Sequence, residues 1–241
     1  MLELIKAILY GLVTGAAEWF PVSGRAHVLL LNAIWPFSGF SEGFFIMFAS
    51  VIRLGAAAAA IVLFWRRLWP FGQKANYHPI RPYGIGAWFR KDVLKLWLHL
   101  LISAVPGILV SLVLKDFIES AFYNFIVIAI ALIIFGAAVM FVEAYVGRQK
   151  PAMRTVSDIT YAAALFIGLL LIFAAVFPGV SIGAAVIASG LFIGTSRRAA
   201  AEYSILAAVP MIIVSAVESL AEFGFSFTAL AFFALLFGMA A

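Results

Sequence analysis

The residues best suited to chemistry lie in one short, proline-broken segment near the N-terminus. Glu18, Arg25 and His27 flank Pro21 in an otherwise apolar stretch, and Ser23 adds a hydroxyl. An ionisable side chain in such a segment is costly to bury, so it needs a partner or a task. Glu18 can act as a base or hold a divalent cation, His27 can transfer protons or attack phosphorus, and Arg25 can bind phosphate oxygens through two hydrogen bonds.

A similar segment recurs in the second half of the chain. Residues 177–184 read FPGVSIGA, against FPVSGRA at residues 20–26, and Gly179 and Ser181 fall in this second copy. Glycine residues expose backbone N–H groups near helix N-termini, which suit anions. Paired interruptions in the two halves of a membrane protein indicate a site between structural repeats. The two segments therefore predict a phosphate site within the membrane, charged on the first side only.

Each of these residues also has a purely structural explanation. Glu18 and Arg25 can neutralise each other, since buried charges usually pair. A lone His27 is more often a hydrogen-bonded structural residue than a catalyst. Arg53 lies inside an apolar run and needs a partner, either Glu18 or a bound anion, unless its side chain extends to the interface. The clustering of charged residues on a broken segment favours a site without fixing its reaction.

The composition indicates an integral membrane protein. The 241 residues are 66% hydrophobic and 11% charged, with a mean hydropathy of +1.13, whereas soluble domains are about 25% charged. The apolar runs have the length of membrane helices and lack the alternation of outer-membrane barrels. The absence of cysteine excludes disulfide and thiolate chemistry. The net charge of +5 comes from loops beside the spans, so we expect no nucleic-acid partner.

The pattern of apolar runs predicts the topology. Full spans are predicted at about 44–65, 93–114, 121–143 and 199–222, with a fifth starting at Phe225. The positive-inside rule places the basic loops at Arg66 and Arg154 on the cytoplasmic face. Segments 1–35 and 159–195 are each too long for one helix and are broken by proline. The topology is consistent if each segment enters and leaves the membrane on the same side. The first segment would then enter from outside and the second from the cytoplasm.

The predicted fold is an all-α polytopic integral membrane protein with inverted-topology repeats. Each repeat contains a Pro-broken re-entrant helical hairpin followed by transmembrane helices. A single membrane domain covers residues 1–241, with a first repeat at about 1–145 and a second at about 155–241. The second repeat holds one span fewer than the first. We expect its last helix to be missing through truncation; the alternative is a naturally short chain.

These residues resemble the signatures of the undecaprenyl-pyrophosphate phosphatase family, also called the bacitracin-resistance protein family. Residues 18–23, EWFPVS, together with His27 resemble its first signature, and residues 178–181, PGVS, resemble the start of its second. Further likeness lies at residues 53–68, 115–119 and 194–200, so that the resemblance covers nearly the whole chain in order. It implies re-entrant hairpins in inverted repeats, an active site open to the outer face, and hydrolysis of a polyprenyl pyrophosphate to the monophosphate.

The resemblance also assigns roles to single residues. By position, Glu18 and His27 are implied to be catalytic, and Ser23 and Ser181 to line the site. The family usually uses a divalent cation, Mg²⁺ or Ca²⁺, for which Glu18 is the candidate ligand. To these we add Arg25 as a phosphate clamp in the catalytic set. Gly179 and Arg53 are added as substrate-binding residues.

The chain departs from the family at its signature positions. Thr14 stands where another acidic or amide residue is usual, and Gly24 replaces a second serine. Arg25 stands where a small hydroxyl residue is expected, while Ile182 replaces an arginine and Gly183 the serine after it. An arginine is thus absent from one hairpin and present in the other. If the hairpin tips meet, Arg25 can supply the guanidinium from the opposite side.

The expected function is that of a membrane phosphatase, an undecaprenyl-diphosphatase-type hydrolase linked to peptidoglycan synthesis and bacitracin resistance. It would act in the bacterial inner membrane, with the bilayer and a polyprenyl pyrophosphate lipid as partners; a homodimer is possible. The alternative is a non-catalytic polyprenyl-phosphate carrier or flippase on the same scaffold. Gly24 and Ile182 favour that alternative, whereas Glu18 and His27 oppose it.

Overall fold

The computed structural model describes residues 1–20, 22–41, 43–72, 78–81, 83–147 and 150–241. Within these ranges the chain forms helices, two short 3₁₀ turns and no strand longer than an isolated bridge. The α-helices are α1 (Leu2–Trp19), α2 (Gly24–Ile34), α3 (Phe44–Val51), α4 (Arg53–Leu63), α5 (Trp65–Leu68), α6 (Lys91–Val113), α7 (Lys115–Phe122), α8 (Phe125–Val146), α9 (Tyr161–Val176), α10 (Ile182–Phe192), α11 (Arg197–Phe223) and α12 (Ala229–Ala240).

Four helical segments are long and apolar enough to cross a membrane. They are α3 together with α4, α6, α8 and α11. The four predicted spans are therefore confirmed, with ends that differ by a few residues. The largest difference is at α8, which begins at Phe125 because the Asn124 side chain accepts a hydrogen bond from the Val127 N–H at 3.0 Å and caps the helix. The chain is an all-α, multi-pass membrane protein.

Segments 1–35 and 159–195, which the sequence predicts to be broken, form helix–break–helix hairpins. In the first, α1 ends at Trp19 and α2 begins at Gly24; Pro21, the predicted breaking residue, lies outside the described residues. In the second, α9 ends at Val176 and α10 begins at Ile182. The arms pack against each other within each hairpin. Each segment therefore turns back on itself instead of continuing as one long helix.

The open ends of the two hairpins lie at opposite ends of α11. Beyond the first hairpin, the Phe37 ring contacts Phe44, which in turn contacts Phe223 at the C-terminal end of α11. Beside the second hairpin, the Ser196 hydroxyl donates to the Arg154 carbonyl at 2.9 Å, next to the N-terminal end of α11. This arrangement agrees with entry from opposite faces. The repeat boundaries and their inverted relation stay predictions.

Two clusters of buried apolar side chains hold the bundle together. The larger joins α6, α9, α10 and α11, and the smaller joins α1, α3, α11 and α12. Helix α12 corresponds to the fifth predicted span and packs closely on α1. A Cβ at Gly11 would collide with the carbonyl oxygen of Gly238, so the close approach of these helices requires a glycine. The clusters fix the hairpins relative to the spans.

Candidate active site

The hairpin tips touch each other in the interior of the bundle. The Ser23 hydroxyl donates a hydrogen bond of 2.7 Å to the Pro178 carbonyl, which joins the first tip to the second. Ser23 is also the N-cap of α2, where its Oγ accepts from the Ala26 N–H at 3.3 Å. Ser181 caps α10 in the same way through the Ala184 N–H at 3.2 Å. The hairpin tips therefore meet, which is the condition for Arg25 to act from the opposite hairpin.

A cavity of about 80 Å³ lies where the tips meet. Both tips line it, together with residues of α3, α4, α6, α7, α9 and α11. Its charged and hydroxyl-bearing lining residues are Glu18, Ser23, Arg25, Ser50, Arg53, Ser111, Lys115, Glu119, Tyr123, Ser181, Ser215, Glu218 and Ser219. The cavity is thus a polar chamber inside a bundle of apolar helices.

Glu18 and Arg53 form a buried, two-pronged ion pair. Arg53 Nε donates to Glu18 Oε2 at 3.0 Å, and Nη2 donates to Oε1 at 2.8 Å. Arg53 is only 5% exposed, so its side chain does not extend to the membrane interface. The expected partner of Arg53 is therefore Glu18, and the suggestion that Glu18 is neutralised by Arg25 is wrong. Parallel hydrogen bonds of this kind fix the carboxylate plane as well as its charge.

Arg25 is held by neutral groups. Its Nη1 donates to the Tyr123 hydroxyl and its Nη2 to the Ser215 hydroxyl, both at 2.8 Å. Among the described residues no carboxylate pairs with it. Arg25 lines a cavity that is also lined by Ser181 and Ile182. Arg25 therefore lines the same cavity as Ile182, the position at which the resemblance predicts an arginine.

Two helix N-termini converge on the same cavity. Ser23 and Gly24 at the start of α2 line it, and so do Ser181 and Ile182 at the start of α10. Each helix is 11 residues long, and its first turn leaves N–H groups without an intrahelical partner. The positive ends of two helix dipoles and the charge of Arg25 thus act on one small volume. Such a volume attracts an anion with several oxygens.

His27 and Gly179 do not line this cavity, although both are described residues. His27 lies one turn into α2, and its Nδ1 donates to the Ser23 carbonyl at 2.7 Å. That bond leaves Nε2 as the free lone pair of the neutral ring. Gly179 packs against α8, where an added Cβ would come within 2.6 Å of the Ile128 carbonyl oxygen. The geometry gives Gly179 a packing role, and the chemical role of His27 stays a prediction.

A cluster of charges lies at one end of the cavity. Lys115, the first residue of α7, pairs with Glu222 and lies 3.5 Å from Glu218 and 3.9 Å from Glu119. Burial alone would lower the pKa of Lys115, but the bond to Glu222 and the three carboxylates outweigh it and raise that pKa. Burial, which outweighs the attraction of Lys115, raises the pKa of Glu119, and Glu222 and Glu218 add to the rise. Lys115, Glu119 and Glu218 of this cluster add to the charged lining of the cavity.

Sequence reasoning missed Tyr123 and Ser215, the two groups that hold Arg25. Tyr123 carries no sequence signal, because it belongs to a short loop of mixed composition. Ser215 does carry one. With Glu218, Ser219 and Glu222 it forms a polar stripe at helical spacing on an otherwise apolar span, and such a stripe faces a wet cavity or a partner. The stripe lines the chamber through three of these residues.

The predicted cation ligand, Glu18, offers little to a metal in this arrangement. Both of its carboxylate oxygens accept hydrogen bonds from Arg53. No group of three His, Asp or Glu side chains is placed to hold a metal ion anywhere in the part of the chain that the structure describes. The side chains therefore do not form a protein-built metal site, and the divalent cation stays a prediction.

Comparison with known proteins identifies the family. The family described as Bacitracin resistance protein BacA matches residues 7–241. The undecaprenyl-diphosphatase of Desulfitobacterium hafniense is 34% identical over 239 residues, which cover 99% of this chain and 82% of that protein. Undecaprenyl-diphosphatase 1 of Clostridium acetobutylicum is 34% identical over 99% of this chain and 83% of its own. The Acetivibrio thermocellus undecaprenyl-diphosphatase is 36% identical, with coverages of 99% and 84%. The chain therefore belongs to the bacitracin resistance protein family.

Proposed function

We propose that the protein is a membrane phosphatase that hydrolyses undecaprenyl pyrophosphate, or a closely related polyprenyl pyrophosphate, to the monophosphate. The observation that carries this proposal is the convergence of Arg25 and two helix N-termini on one buried cavity. The names of the relatives, undecaprenyl-diphosphatases, support the same substrate. Such a reaction regenerates a lipid carrier for cell-envelope synthesis in the bacterial cytoplasmic membrane.

Substrate binding in this proposal rests on the positive groups of the cavity. Arg25 binds the oxygens of the terminal phosphate, and the N-termini capped by Ser23 and Ser181 donate backbone N–H groups to the same anion. Arg53 is already bound to Glu18, so it orients that carboxylate instead of serving as the main clamp. Arg53 stays the second and weaker candidate for binding the substrate.

The reaction breaks the bond between the terminal phosphorus and the bridging oxygen. A water oxygen ends on inorganic phosphate, and the bridging oxygen leaves with the lipid monophosphate. Glu18 is proposed as the base that takes the proton of water or as a cation ligand, and His27 as the proton carrier or the nucleophile. The bond from His27 Nδ1 to the Ser23 carbonyl suits either role, because it orients the ring and does not engage Nε2.

A divalent cation can enter this site with the substrate. Mg²⁺ is commonly bound through one or two carboxylates plus substrate phosphates, without a dedicated cage of protein ligands. Glu18 is the candidate carboxylate, and it would have to release one oxygen from Arg53. A cation bound there would neutralise phosphate charge; the binding of the phosphates by Arg25 does not depend on it.

The experiment that tests the proposal is phosphate release from undecaprenyl pyrophosphate by the purified protein. The assay is run with added Mg²⁺, with added Ca²⁺ and with a chelator, and Glu18→Gln prepared in the same way is the control. Release by the wild type and its loss in the variant would support the phosphatase. Lipid transfer between leaflets without phosphate release would overturn it in favour of the carrier. A mass measurement in detergent shows whether a homodimer forms.

A further inference from the structure

A second opening lies next to the phosphate cavity and is apolar. We name it the chain slot. It is lined by Trp19 and Phe20 of the first hairpin tip, Ala56 and Ala60 of α4, Ile187 of α10 and Ala208 of α11. Glu18 lines both the slot and the phosphate cavity, so the two spaces meet at this residue. The enclosed volume of the slot is only about 20 Å³, as expected for a shallow groove and not for a tunnel.

Small residues form the walls of the chain slot. On α4 the wall consists of Ala56, Ala57 and Ala60, and on the opposite side Gly183 of α10 has no side chain to fill the space. The hydroxyl of Ser204, the other polar lining residue besides Glu18, donates to the Ala201 carbonyl at 2.7 Å. Apolar atoms therefore make up most of the slot's lining, and Glu18 lies where the slot meets the phosphate cavity.

The entrance of the slot faces the membrane. Phe20 is 65% exposed and Trp19 is 39% exposed, although both are large apolar rings at the turn of the hairpin. In a membrane-embedded bundle an exposed apolar ring contacts lipid. The first tip thus presents its charges to the phosphate cavity and its aromatic rings to the hydrocarbon beside it.

We propose that the chain slot binds the first isoprene units of the lipid whose pyrophosphate occupies the cavity. This inference rests on the proposed function and names where the hydrocarbon part of that substrate lies. The hydrocarbon chain of a bound lipid pyrophosphate must extend out of the cavity along an apolar route. A route past charged groups would remove those groups from the water that solvates them, which is costly. The wall of the cavity also carries the charged side chains of Lys115, Glu119 and Glu218. The slot beside Glu18 is the apolar route that opens directly from the site.

The size of the effect follows from the membrane environment. A hydrocarbon chain gains no hydrophobic free energy when it moves from lipid to a protein groove, so only van der Waals packing and orientation contribute. The slot should therefore change the preference for long over short chains by a modest factor. It should have little effect on a substrate whose chain is too short to fill it.

The test compares two substitutions on the same helix. Ala56→Phe fills the slot, whereas Ala59→Phe adds the same ring at an exposed position of α4 that does not line it. The rate constant kcat/KM is measured for undecaprenyl pyrophosphate and for a short prenyl pyrophosphate. We expect Ala56→Phe to lower the long-to-short ratio by about threefold to tenfold, the size of a lost packing contact. Ala59→Phe should leave that ratio unchanged.

A second measurement does not depend on activity. The chain has no cysteine, so Ala56→Cys and Ala59→Cys each introduce a single thiol. A membrane-soluble thiol reagent labels both, and bound undecaprenyl pyrophosphate should slow labelling at position 56 but not at 59. This measurement decides the question if Ala56→Phe fails to fold.

The outcomes separate this inference from the proposed function. A wild-type protein that releases no phosphate from either substrate contradicts the proposed function. An active wild type with equal long-to-short ratios in the two phenylalanine variants, or equal protection of the two cysteines, overturns the chain slot alone. A lower ratio confined to Ala56→Phe, with protection confined to position 56, supports it.

Discussion

The two hairpin tips have the same backbone design and different chemistry. In each hairpin the first helix ends before a serine. That serine caps an 11-residue helix by accepting a hydrogen bond from the backbone N–H three residues later in the chain. The first tip carries a carboxylate, a guanidinium and an imidazole, while the second carries Ile182 and Gly183 at comparable places. A hairpin can therefore have the same helix break with or without charged side chains at its tip.

The difference has a physical cause in how charges are buried. A carboxylate and a guanidinium can share a small chamber only if each has partners, and here Arg53 serves Glu18 while two hydroxyls serve Arg25. The second tip supplies a helix dipole and close packing instead of ions. Both tips supply a helix dipole, but only the first also carries charged side chains, so we expect substitutions at the two tips to have unequal effects.

The largest expected effect is on the rate, from the imidazole of the first tip. His27→Ala should lower kcat for phosphate release by about 10²–10⁴-fold, the usual contribution of a positioned proton-transfer group. The measurement is single-turnover phosphate release, with His78→Ala, an exposed loop residue, as the matched control. A fall of less than a few-fold would leave His27 with a structural role and make the tips chemically more alike.

The second prediction concerns the ion pair between Arg53 and Glu18, which belongs to the first tip only. Arg53→Met should destabilise the fold by about 3–5 kcal/mol, because it leaves Glu18 as an unpaired buried charge. Unfolding in a mild detergent measures this loss. Adding Glu18→Gln to Arg53→Met should restore part of the stability, since the remaining group is neutral. No restoration in the double variant would show that Glu18 has another partner.

The third prediction exchanges the arginine between the tips. Arg25→Ala should lower kcat/KM for phosphate release by about 10²–10³-fold, as for the loss of one charge-stabilising donor. Arg25→Ala combined with Ile182→Arg should regain activity, because the guanidinium then reaches the same cavity from the other side. Ile182→Lys in the same background is the control, since lysine lacks the two-pronged geometry. A double variant as inactive as Arg25→Ala contradicts the exchange.

The smallest effect is expected at the caps. Ser181→Ala should destabilise the protein by about 1 kcal/mol through loss of the α10 cap. Ser23→Ala should cost about 1 kcal/mol more, because its hydroxyl also donates to the Pro178 carbonyl. Thermal unfolding of the two variants side by side measures the difference. Equal losses would mean that the bond between the tips contributes nothing to stability.

Much of the fold and part of the site follow from the sequence. The spans and the two broken segments were predicted, and Glu18 was one of the two candidate partners predicted for Arg53. The N-terminal boundary of α8 was predicted too early in the chain, because Phe122 belongs to the preceding helix and Asn124 caps α8. Arg25 was assigned a wrong alternative partner, since nothing local in the sequence brings Tyr123 or Ser215 next to it. Gly179 packs closely against α8, which the sequence did not indicate, and its assignment to substrate binding stays a prediction.

The sequence by itself determines the class of protein, the number of strong spans and the places where helices must stop. Hydropathy, proline and serine caps act over a few residues, so their effect is visible without the fold. The tertiary structure alone decides which charges meet. Arg53 is 35 residues from Glu18, and Ser215 is 190 residues from Arg25. Such contacts depend on how the helices pack, and the packing of many weak contacts has no short-range signature.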